Sequence, residues 1–364
     1  MLVRSVRTVC FSQPMVPIHA KTFPGVLELV LTVVQSADGI EGYSLARSHG
    51  GQPGSVIASQ IETTLRPLVL GCDALEPTTI WARMAALEPA GYVSVFAISA
   101  LDVALWDLAG KLQGLSVAQL CGGRRDSMVA YASSTHHDTI DAYVADLGAA
   151  LASGFGAYKV HPFYDPPRDI ELARVLRDAA GPTVRLMLDA AKRYQLADAQ
   201  RVGQVLQELD YHWYEEPLEQ HDWGGYAALR RQLSIPVVGG ETLPGMHHAI
   251  ANALHAGAYS AVLCDVYWKG GITGCLKTIA LCKSHGVPVV SHHAASALMN
   301  LANLHVLCGA TDVEMIEVLV PQRPYQFGLT GYAAVDAHGR MQLPRQPGLG
   351  CEPDWRYIET HRSA

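Results

Sequence analysis

The sequence has 364 residues, which is too long for one ordinary small domain and points to one or two domains. Hydrophobic residues make up 49% of the chain and charged residues only 17%, so the composition excludes a disordered chain and predicts a large buried core. The formal net charge is −7 and there is no Lys/Arg cluster, which argues against a nucleic-acid partner and favours a small-molecule one.

The cysteines and the N-terminal segment indicate the cellular compartment. The eight cysteines include no Cys-x-x-Cys pair, and the chain is far larger than secreted domains held together by disulfides. The first residues, "MLVRSVRTVCFSQPMVPIH", lack a long apolar segment, and the run "VLELVLTVV" is too short to span a membrane and contains Glu28. We therefore expect a soluble, cytoplasmic protein with reduced cysteines and no membrane partner.

Residues 1–125 carry the pattern of an α+β module. Two strand-like runs flank Asp38 and Gly39 in "VLELVLTVVQSADGIEGYSLA", which predicts an antiparallel hairpin. Residues 94–114 then predict a long helix that ends at Gly114. Its apolar face is formed by residues at helical spacing, namely Ile98, Leu101, Leu105, Leu108 and Leu112.

Residues 126–324 alternate short apolar runs of strand type with helical patterns, which is typical of parallel βα units. The eight strand candidates are residues 128–133, 157–161, 184–190, 211–217, 236–241, 260–265, 288–293 and 313–318. Eight parallel strands with intervening helices predict an α/β fold, a (β/α)8 barrel of the TIM type. The segment 325–364 lacks this period, and we expect it to pack back on the first module, which would cap the barrel.

Acidic residues at the ends of the predicted strands indicate a metal site, because the C-terminal ends of barrel strands converge on the active site. Asp189, Glu215 and Glu241 follow one another in steps of 26 residues, so we expect them at equivalent positions on three consecutive strands. Three converging carboxylates repel one another unless a cation neutralises them, and oxygen ligands favour Mg²⁺. The alternative, in which each acid caps the following helix, explains a single acid better than three at equal spacing.

Basic residues would flank this metal site. Asp265 and His292 end adjacent strands, and a carboxylate that accepts a hydrogen bond from a histidine fixes the tautomer and raises the basicity of the ring. Lys159 and His161 alternate onto one face of the second strand, across the barrel mouth from that pair. Acids and bases beside Mg²⁺ suggest that the protein removes the α-proton of a small carboxylate substrate and stabilises the enediolate.

Motifs throughout the chain resemble the mandelate racemase-like subgroup of the enolase superfamily. The first is "ALDVALWDLAGKLQGLSVAQLCGG", residues 100–123, and those in the barrel are "LMLDA", "WYEEPL", "GGET", "CDVYWKGGITG" and "VVSHH". The resemblance implies one Mg²⁺ per chain, held by Asp189, Glu215 and Glu241. It also implies that Glu317, or Glu314 in a shifted register, contacts the substrate, and that the protein is a homo-oligomer.

The second barrel strand departs from the subgroup, whose usual motif there is Lys-x-Lys with the second lysine as the base. Lys159 matches the first lysine, and His161 replaces the second. Two interpretations follow. Either His161 is itself the base, with Lys159 as its electrostatic partner, or the strand only orients the substrate and His292 carries out all proton transfer.

The reaction is inferred from the same resemblance. Sugar-acid dehydratases are numerous in the subgroup, so we favour an aldonate or aldarate dehydratase that forms a 2-keto-3-deoxy acid. Racemisation needs a competent base on each face, and a racemase or epimerase of a 2-hydroxy acid or amino-acid derivative is the alternative enzyme. A non-catalytic, metal-stabilised ligand-binding barrel is the alternative of another class. A Zn²⁺ hydrolase is disfavoured because there is no His-x-His motif and no cluster of Cys and His ligands.

Two loops of the leading module, residues 17–25 and 46–54, are the expected specificity elements. Their polar side chains could bind substrate hydroxyls or a distal carboxylate, although they could equally be solvated loop residues. The glycines of the second loop would let it move as a lid. The substrate-binding candidates are His19, Lys21, Arg47 and His49.

Overall fold

The computed structural model describes residues 1–20, 25–48, 52–123, 125–293 and 296–363. The chain begins with a three-stranded antiparallel sheet, whose strands are β1 (Val3–Pro14), β2 (Val26–Ser36) and β3 (Glu41–Arg47). Strands β2 and β3 confirm the predicted hairpin. The sequence pattern does not predict β1, because its buried residues Val3, Val6 and Val9 recur at every third position and the register shifts between Val3 and Ser5.

Helices pack beside this sheet and form with it the unit that we call the cap. They are α1 (Pro17–Ala20), α2 (Ser55–Ser59), a π-helical turn at Gln60–Leu65, α3 (Arg66–Val69), α4 (Pro77–Ala85), α5 (Val95–Gln113) and α6 (Val117–Leu120). The predicted long helix is confirmed as α5, which begins after Ser94, whose Oγ accepts from the Ala97 amide, and ends at the left-handed Gly114. A Cβ on Gly42 of β3 would lie 2.3 Å from the Ala104 carbonyl oxygen, so glycine lets the sheet contact α5 closely.

Eight parallel strands follow, and they confirm the predicted barrel and its strand order. They are β4 (Ser127–Ser133), β5 (Ala157–Val160), β6 (Arg185–Asp189), β7 (Trp213–Glu215), β8 (Val237–Gly239), β9 (Ala261–Cys264), β10 (Val289–Ser291) and β11 (Met315–Leu319). Helices follow the first seven strands: α7 (Ile140–Ala152), α8 (Pro166–Ala180), α9 (Leu196–Glu208), α10 (Trp223–Gln232), α11 (Met246–His255), α12 (Gly271–Ser284) and α13 (Ala297–Ala310). β11 pairs with β4, and the Glu317 amide of β11 donates to Ser291 Oγ of β10, which brings the two remaining edges together.

The strand register corrects one expectation about the acidic residues. Asp189 and Glu215 lie opposite each other in the ladder between β6 and β7, as predicted. Glu215 is paired with Val238, however, and β8 ends at Gly239, so the prediction of an equivalent position is wrong for Glu241. Glu241 lies in the loop that follows its strand. Equal sequence spacing does not give equal register, because the helices and loops between the strands differ in length.

The last part of the chain contacts both the barrel and the cap. It contains a 3-10 turn at Arg323–Tyr325, β12 (Leu329–Thr330), β13 (Arg340–Gln342), β14 (Glu352–Pro353) and α14 (Trp355–Thr360). β13 adds antiparallel to β4 of the barrel, while Ser12 of β1 donates its amide to the His361 carbonyl oxygen. Among the described residues, no helix is both long enough and apolar enough to cross a membrane.

Candidate functional site

The C-terminal ends of β5, β6 and β7, together with β11, place one lysine among three carboxylates. Lys159 is fully buried, and its Nζ lies 2.6 Å from Glu215 Oε1, 3.0 Å from Glu317 Oε1 and 3.7 Å from Asp189 Oδ2. Burial opposes the charge, but the carboxylates of Glu215 and Glu317 raise the pKa of Lys159 well above its usual value, so it stays an ammonium. Lys159 therefore supplies permanent positive charge at the barrel mouth.

The acids of this cluster do not act as helix caps. Asp189 Oδ1 accepts from the Ala191 amide inside a loop, whereas the N-caps of α9, α10 and α11 are Gln195, Asp222 and Gly245. The helix-capping alternative is thus excluded for Asp189, Glu215 and Glu241.

His292 and Asp265 form the predicted pair at the ends of β10 and β9. His292 Nδ1 lies 3.0 Å from Asp265 Oδ2, and its Nε2 lies 3.2 Å from Glu241 Oε1. Burial disfavours the charged ring, but the carboxylates of Glu241 and Asp265 raise the pKa of His292 to about 9. Both carboxylates therefore favour the charged form of the His292 ring.

The backbone around this pair is held by an amide side chain and by turn hydrogen bonds. Asn303 of α13 donates from Nδ2 to the His292 carbonyl oxygen at 2.9 Å, and its Oδ1 accepts from the Val266 amide at 2.8 Å. Asp265 Oδ1 accepts from the Tyr267 amide at 2.5 Å. These contacts fix the ring and the carboxylate relative to each other.

His161 is oriented by a backbone carbonyl instead of a carboxylate. Its Nδ1 lies 2.8 Å from the Ser134 carbonyl oxygen, which can only accept, so Nδ1 carries a proton. Its Nε2 faces Asp189 Oδ2 at 3.2 Å. Nε2 is consequently the ring atom of His161 that can exchange a proton with the site.

Glu317 is buried on β11, and its environment decides between the two register alternatives of the eighth strand. Lys159 and His292 lower the pKa of Glu317 to about 2 although burial opposes this shift, and its Oε2 accepts from the His293 amide. Glu314 is exposed and forms an ion pair with Arg185 near the opposite ends of their strands. Of the two glutamates, only Glu317 belongs to the cluster around Lys159.

The cap residues that the sequence suggests for substrate binding are only partly described. His19 is half-buried in α1, and Arg47 is buried at the end of β3 with its guanidinium 5.1 Å from the centre of the Tyr267 ring. Tyr267 lies two residues after Asp265, so Arg47 joins the cap to the barrel near the pair of His292 and Asp265. Lys21 and His49 lie outside the described residues.

The donor set fits a hard divalent cation in its chemistry. Asp189, Glu215 and Glu241 supply only oxygen atoms, and they are buried or nearly so at the ends of neighbouring strands. Their oxygen atoms face the cationic or titratable side chains of Lys159, His161 and His292. Across the described ranges, no three His, Cys, Asp or Glu side chains are grouped closely enough to hold a metal ion as they stand.

Several residues that support the site are not predicted from the sequence. Trp213 donates its indole N–H to Glu215 Oε2 at 2.8 Å, and Lys192 pairs with Glu216 at 2.7 Å. Lys269 donates to backbone carbonyl oxygens beside Glu241. Two sequence features could have pointed to these residues. The motif "WYEEPL" contains both Trp213 and Glu216, and the motif "CDVYWKGG" contains Lys269.

A cavity of about 610 Å³ lies at the other end of the barrel, around the first residues of β7 to β11. Its lining includes Trp213, Val238 and Met315 but none of the candidate catalytic or metal-binding side chains. The cluster described above is therefore separate from this cavity.

Comparison with known proteins gives matches over most of the chain. Residues 4–122 match the family model of the mandelate racemase / muconate lactonizing enzyme N-terminal domain, and residues 142–357 match that of the enolase C-terminal domain-like family. The chain is 31% identical over 300 residues to D-galactarolactone cycloisomerase of Agrobacterium fabrum, covering 78% of this chain and 79% of that protein.

Two further matches are a dehydratase sequence and a dehydratase structure. The chain is 26% identical over 331 residues to arabinonate dehydratase of Saccharolobus solfataricus, covering 89% of this chain and 88% of that protein. The crystal structure of D-glucarate dehydratase from Agrobacterium tumefaciens complexed with magnesium matches with a TM-score of 0.89 at 27% identity, covering 100% of both chains.

Proposed function

Because the chain belongs to the mandelate racemase / muconate lactonizing enzyme family of the enolase superfamily, we propose that it dehydrates a sugar acid in a Mg²⁺-dependent reaction. The substrate is an aldonate or aldarate, and the product is a 2-keto-3-deoxy acid. Relatives named as acid-sugar dehydratases and cycloisomerases support this substrate class.

The observation that carries the proposal is the unequal support of the two histidines. A carboxylate, Asp265, backs Nδ1 of His292 and stabilises the charged ring, whereas a neutral carbonyl, that of Ser134, backs Nδ1 of His161. His161 Nε2 faces the Asp189 carboxylate and would accept a proton once that carboxylate is bound to Mg²⁺, whereas His292 Nε2 is suited to donate one. Dehydration needs one group of each kind.

In the proposed dehydration, side chains of this protein carry out both proton transfers. His161 Nε2 takes the α-proton of the substrate, and the electron pair of that bond delocalises into the substrate carboxylate. His292 Nε2 then donates a proton to the β-hydroxyl, which leaves as water while the pair forms the double bond of an enol. The enol tautomerises to the 2-keto-3-deoxy acid.

Lys159 and the carboxylates prepare the site for an anionic substrate. The Lys159 ammonium offsets negative charge as the α-proton leaves, and Glu317 holds that ammonium in place. Asp189, Glu215 and Glu241 would hold the Mg²⁺. When bound, the ion would supply Lewis-acid stabilisation to the substrate carboxylate.

A screen of acid sugars with Mg²⁺ tests the proposal by measuring 2-keto acid formation, and a repeat in D₂O follows exchange of the α-proton. We expect keto acid from at least one aldonate or aldarate. Deuterium incorporation without loss of water would instead support the racemase or epimerase. Activities that survive unchanged in both Asp265→Asn and His292→Asn would support a barrel that binds its ligand without turnover.

A further inference from the structure

The loop that carries Glu241 is held from both sides by buried ionisable side chains. Lys269 is fully buried, and its Nζ donates to the carbonyl oxygens of Gly240 at 2.5 Å and Glu241 at 2.6 Å. Glu216 is also fully buried, and its Oε1 accepts from the amides of Gly240 at 2.8 Å and Glu241 at 3.1 Å. The N–H and C=O groups of two successive residues are thus bound by one anion and one cation.

Lys269 is placed at an energetic disadvantage. Its hydrogen bonds go to backbone carbonyl oxygens, and no carboxylate within the described ranges lies within 4.0 Å of its Nζ. A buried charge without a counter-ion is destabilising, and an apolar side chain of similar volume would avoid this penalty.

The two side chains are themselves anchored to neighbouring strands. Lys192 of the loop after β6 pairs with Glu216 Oε2 at 2.7 Å, and Glu216 adopts a positive φ of 40° directly after Glu215. The backbone of Lys269 is packed against α12, since a Cβ on Gly274 would lie 1.7 Å from the Lys269 carbonyl oxygen. The position of the Glu241 loop is therefore fixed relative to β6, β7 and β9 at once.

This arrangement compensates for the register of Glu241. Asp189 and Glu215 are placed by the ladder itself, but Glu241 lies beyond the end of β8 and has no ladder partner to place it. A carboxylate in a loop must be held in place by rigid contacts other than the strand ladder. The backbone clamp of Glu216 and Lys269 provides them.

We propose that Glu216 and Lys269 are positioning residues that set the Glu241 carboxylate for Mg²⁺ binding. The inference rests on the proposed function, because it takes Glu241 as a ligand. Neither residue touches the ion or the substrate in this scheme. The buried charge of Lys269 lowers folding stability, while its contacts with the Glu241 loop raise the affinity for Mg²⁺. A merely structural residue would not have these two opposite effects.

Isothermal titration calorimetry of the full, metal-free chain with MgCl₂ alone tests the clamp. We expect Lys269→Met to weaken Mg²⁺ binding by roughly 10- to 100-fold, the usual effect of removing a residue that orients a metal ligand. The melting temperature of the metal-free variant should fall little or rise. Lys283→Met, at an exposed lysine of α12, is the matched control and should bind Mg²⁺ as the wild type does.

Two further variants keep the test decisive. Val33→Ala, in the cap sheet, provides a control for general destabilisation and should leave the affinity unchanged. Should Lys269→Met fail to fold, Glu216→Gln provides a second test. It removes the negative charge that accepts from the amides of Gly240 and Glu241, and it should also weaken Mg²⁺ binding. A folded Lys269→Met or Glu216→Gln that binds Mg²⁺ like the wild type would overturn the clamp.

The outcomes for the clamp and for the reaction are distinguishable, because calorimetry needs no substrate. A wild type that binds Mg²⁺ but dehydrates no acid sugar contradicts the proposed reaction, while weaker binding by Lys269→Met would still support the clamp. A wild type that binds no Mg²⁺ overturns both.

Discussion

His161 Nδ1 lies 2.8 Å from the carbonyl oxygen of Ser134, so this backbone acceptor determines which nitrogen of the ring is protonated. A carbonyl oxygen cannot donate, and Nε2 is left to exchange protons beside Asp189. The ring at this position is thereby oriented like a base without a carboxylate behind it. In the proposed reaction His161 is the base, and its Nε2 is the ring atom that faces the site.

The first prediction concerns His161→Asn. Loss of the base should lower kcat by roughly 10²- to 10⁴-fold, the usual contribution of general base catalysis. The acidic limb of the kcat/KM profile against pH should change with it, because the limb reports the base of the free enzyme. Mg²⁺ affinity, measured by calorimetry, should persist because Asp189, Glu215 and Glu241 remain.

His255→Asn, at an exposed histidine of α11, is the matched control and should leave kcat and its pH profile unaltered. If His161→Asn keeps the wild-type kcat and pH profile, His161 only orients the substrate, and His292 carries out all proton transfer.

The second prediction concerns Asp265→Asn. The new amide can still accept the turn hydrogen bonds at Oδ1, but its NH₂ group would face His292 Nδ1 and force the ring into the other tautomer. We expect kcat to fall by roughly 10³- to 10⁴-fold, as in other enzymes whose histidine loses its carboxylate partner. The pKa of His292 should fall from about 9, which NMR titration of the ring would measure. An unchanged pKa would show that Asp265 does not support the charged ring.

The third prediction concerns the metal. An ion that binds only the folded state at about 100 times its Kd adds about 2.7 kcal/mol to the free energy of unfolding. Mg²⁺ should therefore raise the Tm of the wild type, and Asp189→Asn should abolish this rise. Glu219→Gln, at an exposed carboxylate, should keep it. Equal Tm values with and without Mg²⁺ in the wild type would argue strongly against the site.

The sequence predicts the barrel well because each buried parallel strand is a local apolar run, as in β6 and β9. It also indicates Asp189, Asp265 and His292 as candidate site residues, since each lies directly at or after a strand end. Glu241 shows the limit of this reasoning. Register depends on how helices of different length return the chain to the sheet, and counting residues along the sequence does not measure that.

The supporting contacts are harder to predict because they join residues distant in sequence. Ser134, directly after β4, contacts His161 Nδ1 through its backbone carbonyl oxygen, and its side-chain type carries no information about that contact. Lys269 binds backbone carbonyl oxygens of the Glu241 loop, and a contact to the backbone does not depend on the side chains that the sequence shows. Strand β1 is missed for a related reason, because its irregular register hides the two-residue period.

The last prediction concerns folding stability and His305 of α13, whose ring contacts the cap and the C-terminal segment instead of the candidate site. His305 is fully buried, its Nδ1 accepts from the Ala118 amide at 3.1 Å, and its Nε2 lies 3.1 Å from the Leu349 carbonyl oxygen. It thus joins α13 to the cap and to the C-terminal segment as a neutral ring. Burial lowers the pKa of His305 to about 4.

The sign of the pH effect follows from this lowered pKa. An unfolded histidine binds its proton near pH 6.5, so the unfolded state binds more protons than the folded state between pH 6.5 and about 4. The stability that the neutral ring contributes is complete above pH 6.5 and is lost as the pH falls, by about 1.4 kcal/mol per pH unit. Over the whole interval the loss is about 3 kcal/mol.

Urea unfolding of the wild type and His305→Gln at a series of pH values measures this effect. The variant should be less stable than the wild type at pH 7.5, and the difference should shrink as the pH falls toward 4, because glutamine does not titrate. His255→Gln should run parallel to the wild type at every pH, since His255 is exposed. A difference between His305→Gln and the wild type that stays constant with pH would show that His305 binds protons equally in the folded and unfolded states.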